Sequence, residues 1–294
     1  MKVGIALGSG AARGLAHVGV LRALEEAGIR PYSISGSSMG ALIGGVYASG
    51  YPLEKIEEFV RGMNFGLFRK LLDFKLSMKG LVDGSKIEEF LSAVLVKRKI
   101  EDFDTLFCCV STDLLTGIEV VFNKGNIVNA IRASISFPGV FVPVYYEGMY
   151  LIDGGVTNPV PADLLPDECD LKIAVDVGPS VIKDRLMDKY FKNNLRHKKS
   201  TVNDAFSKLI KNIFSTEEPS SGVEFPSILE ALVQSVAIMQ DTIYKSRIEK
   251  VKNLVEIKPN FNNYKLTDFS KAGEIVDLGY NTTKNVLREL NLGK

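Results

Sequence analysis

A serine at the centre of a short glycine-bounded motif is the first residue in this sequence whose setting could support chemistry. Residues 36–40 are Gly-Ser-Ser-Met-Gly, a G-x-S-x-G pattern with Ser38 in the central position. Small residues two places before and after such a serine, here Gly36 and Gly40, let the chain bend sharply from a strand into a helix and expose the hydroxyl as a nucleophile. The alternative is an ordinary Gly/Ser turn in which Ser37 or Ser38 only caps a helix.

A glycine-rich loop lies one predicted strand ahead of this motif. Residues 8–14 are Gly-Ser-Gly-Ala-Ala-Arg-Gly, and such a loop can direct backbone N–H groups at an anion. The spacing differs from the dinucleotide pattern G-x-G-x-x-G, and no acidic residue follows where a ribose would need one. An oxyanion hole is the more coherent use, with the amides of Gly10 and Ala11 as donors and Arg13 nearby for charge or loop structure. A plain glycine-rich connection with a surface arginine, or a nucleotide site, remains the alternative.

The sequence contains only two histidines that could activate Ser38. His17 falls on the helix predicted after the glycine-rich loop, where its apolar neighbours indicate a packed residue. His197 lies within the basic run Arg-His-Lys-Lys at residues 196–199, a solvated stretch that would hold a catalytic imidazole poorly. Neither histidine is therefore a good candidate for the base.

An aspartate after an apolar strand is the better candidate for the base. Residues 151–155 are Leu-Ile-Asp-Gly-Gly, so Asp153 follows a predicted strand and precedes two glycines that permit close approach of another backbone. A carboxylate in this position could contact Ser38 directly and accept its proton. The alternative is an Asx-turn initiated by Asp153 before the glycine pair.

The elements that must position these residues alternate between strands and helices. Apolar runs predict strands near residues 3–7, 32–35, 106–112, 119–122, 150–152, 172–177 and 254–257. Helical spacing predicts helices over residues 14–27, 39–49, 53–62, 86–95, 126–134, 227–251 and 269–290, with Ser85 as the N-cap of the fourth. This order implies parallel strands with helical crossovers. We expect an α/β fold with a mostly parallel central sheet and helices on both faces.

Composition excludes several classes of protein. The 294 residues carry 36 Lys and Arg against 35 Asp and Glu, which gives no global electrostatic case for nucleic acid. Three cysteines are too few for a disulfide framework and indicate small buried hydrophobes in a reducing compartment. The first residues make a poor signal peptide, and no apolar run reaches the roughly 18 residues of a spanning helix. These features predict a cytoplasmic protein.

A basic segment stands apart from the rest of the chain. Residues 183–211 contain nine Lys or Arg and three Asp, with apolar residues at helical spacing through residue 214. Two basic amphipathic helices could form a lid, or an anchor that holds the protein peripherally on an anionic membrane surface. An ordinary helical excursion or a dimer contact is the alternative. We expect one domain over residues 1–294 with this lid-like insertion at about 180–225; the oligomeric state stays open.

The motifs together resemble those of the patatin-like phospholipase family, and the chain is similar to the esterase domain of neuropathy target esterase. The resemblance rests on residues 8–14 and 36–40 and on Asp-Gly-Gly at residues 153–155. It extends through residues 79–84, 112–117 and 133–138. Ser9 departs from the family by standing where plant members carry glycine.

This resemblance implies a three-layer α/β/α hydrolase of lipid acyl esters, of phospholipase A or lysophospholipase type. Ser38 and Asp153 would form a dyad without a histidine, and the acyl group would pass through Ser38. The amides of Gly10 and Ala11 would hold the oxyanion, and no metal or organic cofactor is implied. A non-catalytic lipid- or protein-binding module on the same fold is the alternative.

Overall fold

The computed structural model describes residues 1–63, 82–178 and 228–292. Eight strands in these ranges form one mixed sheet. The strands are β1 (Val3–Leu7), β2 (Ser33–Ser37), β3 (Leu106–Asp113), β4 (Glu119–Phe122), β5 (Val144–Tyr146), β6 (Met149–Asp153), β7 (Leu171–Val175) and β8 (Leu254–Ile257). Pairing runs β5-β6-β3-β2-β1-β7-β8, and β4 also pairs with β3.

The strands at the centre of the sheet pair in parallel, and those at one side pair antiparallel. Strands β3, β2, β1, β7 and β8 are parallel neighbours, whereas β4 and β6 run antiparallel to β3 and β5 runs antiparallel to β6. The expected mostly parallel α/β sheet is confirmed. The hairpin strand β5 is an addition that the sequence did not predict.

The α-helices in the described ranges correspond to the predicted ones. They are α1 (Ala16–Glu26), α2 (Met39–Ala48), α3 (Leu53–Arg61), α4 (Ser85–Val94), α5 (Ile127–Ser134), α6 (Ile228–Ile248) and α7 (Ala272–Glu289). Short 3-10 turns, Ala11–Leu15 and Phe269–Lys271, precede α1 and α7 and account for their later starts. None of the described helices is both long and apolar enough to cross a membrane.

The prediction that Ser85 caps α4 was wrong. Gly84 occupies the N-cap position with φ +83°, and Ser85 is the first residue of the helix. The Asp83 carboxylate accepts hydrogen bonds from both the amide and the hydroxyl of Ser85. A left-handed backbone favours glycine, so the turn into the helix is made one residue earlier than predicted.

Alternate residues of the buried strands face two separate apolar layers. Ile5 and Leu7 of β1 belong to the large core that includes residues of α1, α2 and α7. Ala6, which points the other way, packs with Leu165 and with Tyr244 of α6. This confirms helices on both faces of the sheet. Cysteines 108, 109 and 169 are free, the first half-buried and the others buried. The basic segment 183–214, the insertion at about 180–225 and His197 lie outside the described residues.

Candidate active site

Ser38 lies on a strained turn between β2 and α2. Its backbone has φ +53° and ψ −119°, an unusual conformation that costs on the order of 1–3 kcal/mol for a non-glycine residue. A Cβ on Gly36 would lie 2.6 Å from the Ala41 Cα, and a Cβ on Gly40 would lie 1.9 Å from the Leu7 carbonyl oxygen. Glycine is therefore required at both positions, and the turn has the geometry of a nucleophile elbow.

The sheet brings Asp153 to this turn by an end-to-end meeting of two strands. β2 pairs with β3 up to Ser37, which lies opposite Val110. β6 approaches from the other direction, and its last residue, Asp153, lies opposite Ser111. Strand β4 pairs with residues of β3 that also pair with β2 and with residues that also pair with β6, so β4 must lie along the other edge of β3. Strands β2 and β6 therefore follow one another along a single edge of β3. Their carboxyl ends therefore meet where Ser38 and Asp153 lie.

The Ser38 hydroxyl donates a hydrogen bond of 2.6 Å to Oδ2 of Asp153. The second carboxylate oxygen, Oδ1, accepts a hydrogen bond of 2.7 Å from the Gly155 amide. Asp153 is 1% exposed, and its burial raises the pKa to about 6, although the hydrogen bonds from Ser38 and Gly155 act in the opposite direction. At neutral pH the carboxylate is therefore ionised, yet it is a stronger base than an exposed aspartate.

The backbone amides of the glycine-rich loop differ in whether they have a hydrogen-bond acceptor. The amides of Gly8, Ser9, Ala12 and Arg13 each donate to a backbone carbonyl. In the described part of the chain, the amides of Gly10 and Ala11 have no such acceptor. Ala11 has φ +47°, which only a constrained loop maintains in a residue with a Cβ.

The glycine-rich loop lies against both partners of the dyad. A Cβ on Gly40 would lie 2.9 Å from the Gly8 carbonyl oxygen, and a Cβ on Gly155 would lie 2.7 Å from the Ser9 hydroxyl oxygen. The loop, the elbow and the Asp153 turn thus meet at the carboxyl ends of β1, β2 and β6. A serine hydroxyl, a buried carboxylate and two amides without a backbone acceptor, brought to one place, are the kinds of group that acyl transfer requires.

Arg13 anchors the loop from behind. Its guanidinium donates to the Tyr264 carbonyl oxygen from Nε and Nη2 at 3.1 and 2.8 Å, and to the Gly178 carbonyl oxygen from Nη1 at 3.2 Å. It also lies over the Phe261 ring. These contacts favour the loop-structure role for Arg13 over a direct charge on an oxyanion.

His17 supports the same loop and makes no hydrogen bond to Ser38. Its Nε2 lies 2.8 Å from the Gly8 carbonyl oxygen, and complete burial lowers the pKa to about 4. The ring is therefore neutral at pH 7 and donates this hydrogen bond. In the described ranges, no group of three or more His, Cys, Asp or Glu side chains is placed to hold a metal ion.

The comparisons with known proteins identify the family. The sequence model of the patatin-like phospholipase family matches residues 5–166, which contain the loop, the elbow and Asp153. The chain belongs to the patatin-like phospholipase family. The resemblance drawn from the motifs is thus confirmed.

The relatives that the chain matches are longer proteins. An uncharacterized NTE family protein of Mycobacterium tuberculosis is 40% identical over 180 residues, which cover 61% of this chain and 50% of that protein. Lysophospholipase NTE1 of Kluyveromyces lactis is 31% identical over 98% of this chain and 19% of its own length. The chain spans half or less of these relatives. Among solved structures, VipD from Legionella pneumophila matches with a TM-score of 0.47 at 12% identity, over 98% of this chain and 66% of that one.

Residues 133–138 form part of the family resemblance, but no role was predicted for the residues that brace this patatin-like site. The Ser134 hydroxyl, at the end of α5, accepts a 3.0 Å hydrogen bond from the Ser38 amide. The Ser136 carbonyl oxygen accepts one from the Asp153 amide, and the fully buried Arg132 donates to the Ser136 hydroxyl at 2.6 Å. The available signal was the polar residues within the otherwise apolar stretch 127–135.

Proposed function

We propose that this chain is a serine hydrolase that cleaves acyl esters of lipids, of phospholipase A or lysophospholipase type, through a Ser38–Asp153 dyad. The observation that carries the proposal is the 2.6 Å hydrogen bond from Ser38 to a buried carboxylate at a strained elbow. Membership in the patatin-like phospholipase family and relatives named lysophospholipases support the lipid substrate class.

The mechanism has two halves that use the same residues. The Ser38 oxygen attacks the ester carbonyl carbon while Asp153 takes its proton, and the amides of Gly10 and Ala11 hold the resulting oxyanion. Collapse breaks the bond to the alcohol, which leaves with the proton from Asp153 and gives an acyl-Ser38. Water then loses a proton to Asp153 and attacks this acyl group; as the bond to the Ser38 oxygen breaks, Asp153 returns the proton to that oxygen, and the fatty acid leaves.

Fluorophosphonate labelling with peptide mapping tests this proposal. We expect the label on Ser38 and its absence in Ser38→Ala. Labelling of Asp153→Asn should be slowed at least 100-fold, within the range that general base catalysis contributes. Ser37→Ala is the matched control, because the buried Ser37 hydroxyl has no hydrogen-bond partner in the described structure and should be dispensable.

The contrary result is a folded wild-type protein that takes no label, with or without liposomes. That outcome would reject the hydrolase and favour a non-catalytic binding module on the same fold. Labelling that survives in Ser38→Ala would instead place the reactive serine elsewhere and reject the dyad.

A further inference from the structure

An apolar cavity of about 130 Å³ opens beside Met39, the residue that follows Ser38. Helices α2, α3 and α4 supply most of its wall, and Phe269 and Leu15 contribute from the 3-10 turns. Of the described residues that line it, none carries a charge, and the Tyr51 hydroxyl is the single polar side-chain group. Such a lining offers nothing to a sugar, a nucleotide or a polar headgroup and suits a hydrocarbon.

The cavity follows one face of α2 away from the nucleophile. Met39, Leu42, Ile43 and Val46 line it, and this i, i+3, i+4, i+7 spacing marks a single helical face. At 1.5 Å per residue, Met39 and Val46 are separated by about 10 Å along the helix axis. The cavity therefore begins at the residue next to Ser38 and extends about two helical turns into the protein.

The opposite face of α2 shows why the open space lies on the Met39 side of the helix and not between the helix and the sheet. A Cβ on Gly44 would lie 2.9 Å from the Ile34 side chain, and a Cβ on Gly45 would lie 2.9 Å from the Ile131 side chain. Both glycines thus let α2 press closely onto the sheet and α5. The larger residues project to the other side, where they surround the cavity together with Ile56 of α3.

We infer that this cavity binds the carbonyl-proximal part of a single acyl chain and sets the acyl-chain-length preference of the enzyme. The inference rests on the proposed function and adds to it a specific binding site for the acyl chain and a limit on the number of chain carbons bound there. An engineered apolar cavity of about 150 Å³ accepts benzene, which has six carbons, so the present one holds about five or six chain carbons. Carbons beyond that number must lie outside it.

A chain-length series on nitrophenyl esters, from acetate to dodecanoate, gives the test. Burial of each methylene should raise kcat/KM about fourfold until the cavity is full, near hexanoate to octanoate. Longer chains should gain much less per carbon, so the profile should break rather than rise steadily. A profile that is flat from acetate onward, in an enzyme that depends on Ser38, would overturn the inference while leaving the hydrolase intact.

Two valine variants test whether the chain-length preference arises in this cavity. Val46→Met extends a side chain into the inner part of the cavity and should lower the ratio of octanoate to acetate turnover about tenfold. Val20→Met makes the same change at a buried valine of α1 outside the cavity lining and should leave the ratio unchanged. Equal ratios in the two variants would refute the placement of the chain.

A binding assay on an inactive variant tests this inference independently of the proposed hydrolysis. In Ser38→Ala, millimolar octanoate should raise the melting temperature, whereas acetate should not, and the additional variant Val46→Met should abolish the octanoate effect. If no ester is turned over but this binding pattern is found, the proposed hydrolase fails and the cavity stands. If octanoate shifts neither protein, the cavity does not bind an acyl chain.

Discussion

Lowering the pH from 8 to 5 should slow the enzyme because it protonates Asp153. The buried carboxylate has a pKa of about 6, raised from an ordinary value of 3.8 by desolvation. A protonated Asp153 cannot accept the proton of Ser38, so kcat/KM should follow the ionised fraction of the free enzyme. Activity should therefore rise with pH through about 6 and level off above 7.

The size of the change follows from the two pKa values. With a pKa of about 6, roughly a tenth of the protein is ionised at pH 5 and nearly all at pH 8, so kcat/KM should differ about tenfold. An unperturbed aspartate of pKa 3.8 would already be more than nine-tenths ionised at pH 5, so kcat/KM would then lie less than a tenth below its maximum. The assay thus distinguishes a desolvated base from an exposed one.

Hydrolysis of nitrophenyl butyrate, quenched at one fixed pH before the absorbance is read, gives the profile. Asp176→Asn is the matched control, because burial also raises the pKa of Asp176, which lies beside Ser9 and accepts a hydrogen bond from the Gly178 amide. The profile should persist in this variant. A flat profile down to pH 5, with fluorescence showing a folded protein, would refute the assignment of a desolvated base. Loss of the transition in Asp176→Asn would show that the transition belongs to Asp176 and not to Asp153.

Two further predictions concern stability. The pKa of Asp153 is higher in the folded state than in the unfolded state, so the ionised carboxylate destabilises the fold above pH 6. Asp153→Asn removes this charge and should raise the free energy of unfolding at pH 8 by up to about 3 kcal/mol. Urea denaturation should show this gain disappearing near pH 4, and an equal gain at both pH values would contradict it. Gly40→Ala should lower the melting temperature and abolish labelling, since its Cβ meets the Leu7 carbonyl oxygen at 1.9 Å. Gly62→Ala, with φ −76° and a nearest atom at 3.3 Å, should be nearly neutral in both assays.

The sequence located the two residues of the candidate dyad better than it located the residues that support them. Ser38 and Asp153 each stand in a local pattern that constrains the backbone, small residues around a bend and a carboxylate before a glycine pair, so their positions follow from short-range sterics. Ser134 contacts Ser38 on another element, and Arg132 donates to the carbonyl oxygens of Asp83 and Val142 as well as to the nearby Ser136 hydroxyl. Their residue types carry no local requirement, so only the folded arrangement shows what they do.

Local patterns also explain where the fold prediction was incomplete. The buried strands β1 and β7 are short apolar runs, and the helices are marked by apolar spacing or, for α2, by small apolar residues throughout; all of these elements were predicted. Strand β5 has three residues and is half-exposed or exposed throughout, so it lacks the apolar run that marks a strand. The glycine-rich loop was expected to use Arg13 for charge or for loop structure, and that choice depended on Tyr264, which is distant in the sequence.

The end-to-end meeting of β2 and β6 makes activity a late event in folding. Ser38 and Asp153 are separated by 115 residues in the chain, and their contact requires β3 to pair with both strands. Non-local pairing of this kind forms slowly, because a long loop must close before the contact is made. A nascent chain that has produced the elbow and the glycine-rich loop therefore has a serine without a base. Recovery of Ser38 reactivity after denaturation would accordingly time the closure of this part of the sheet.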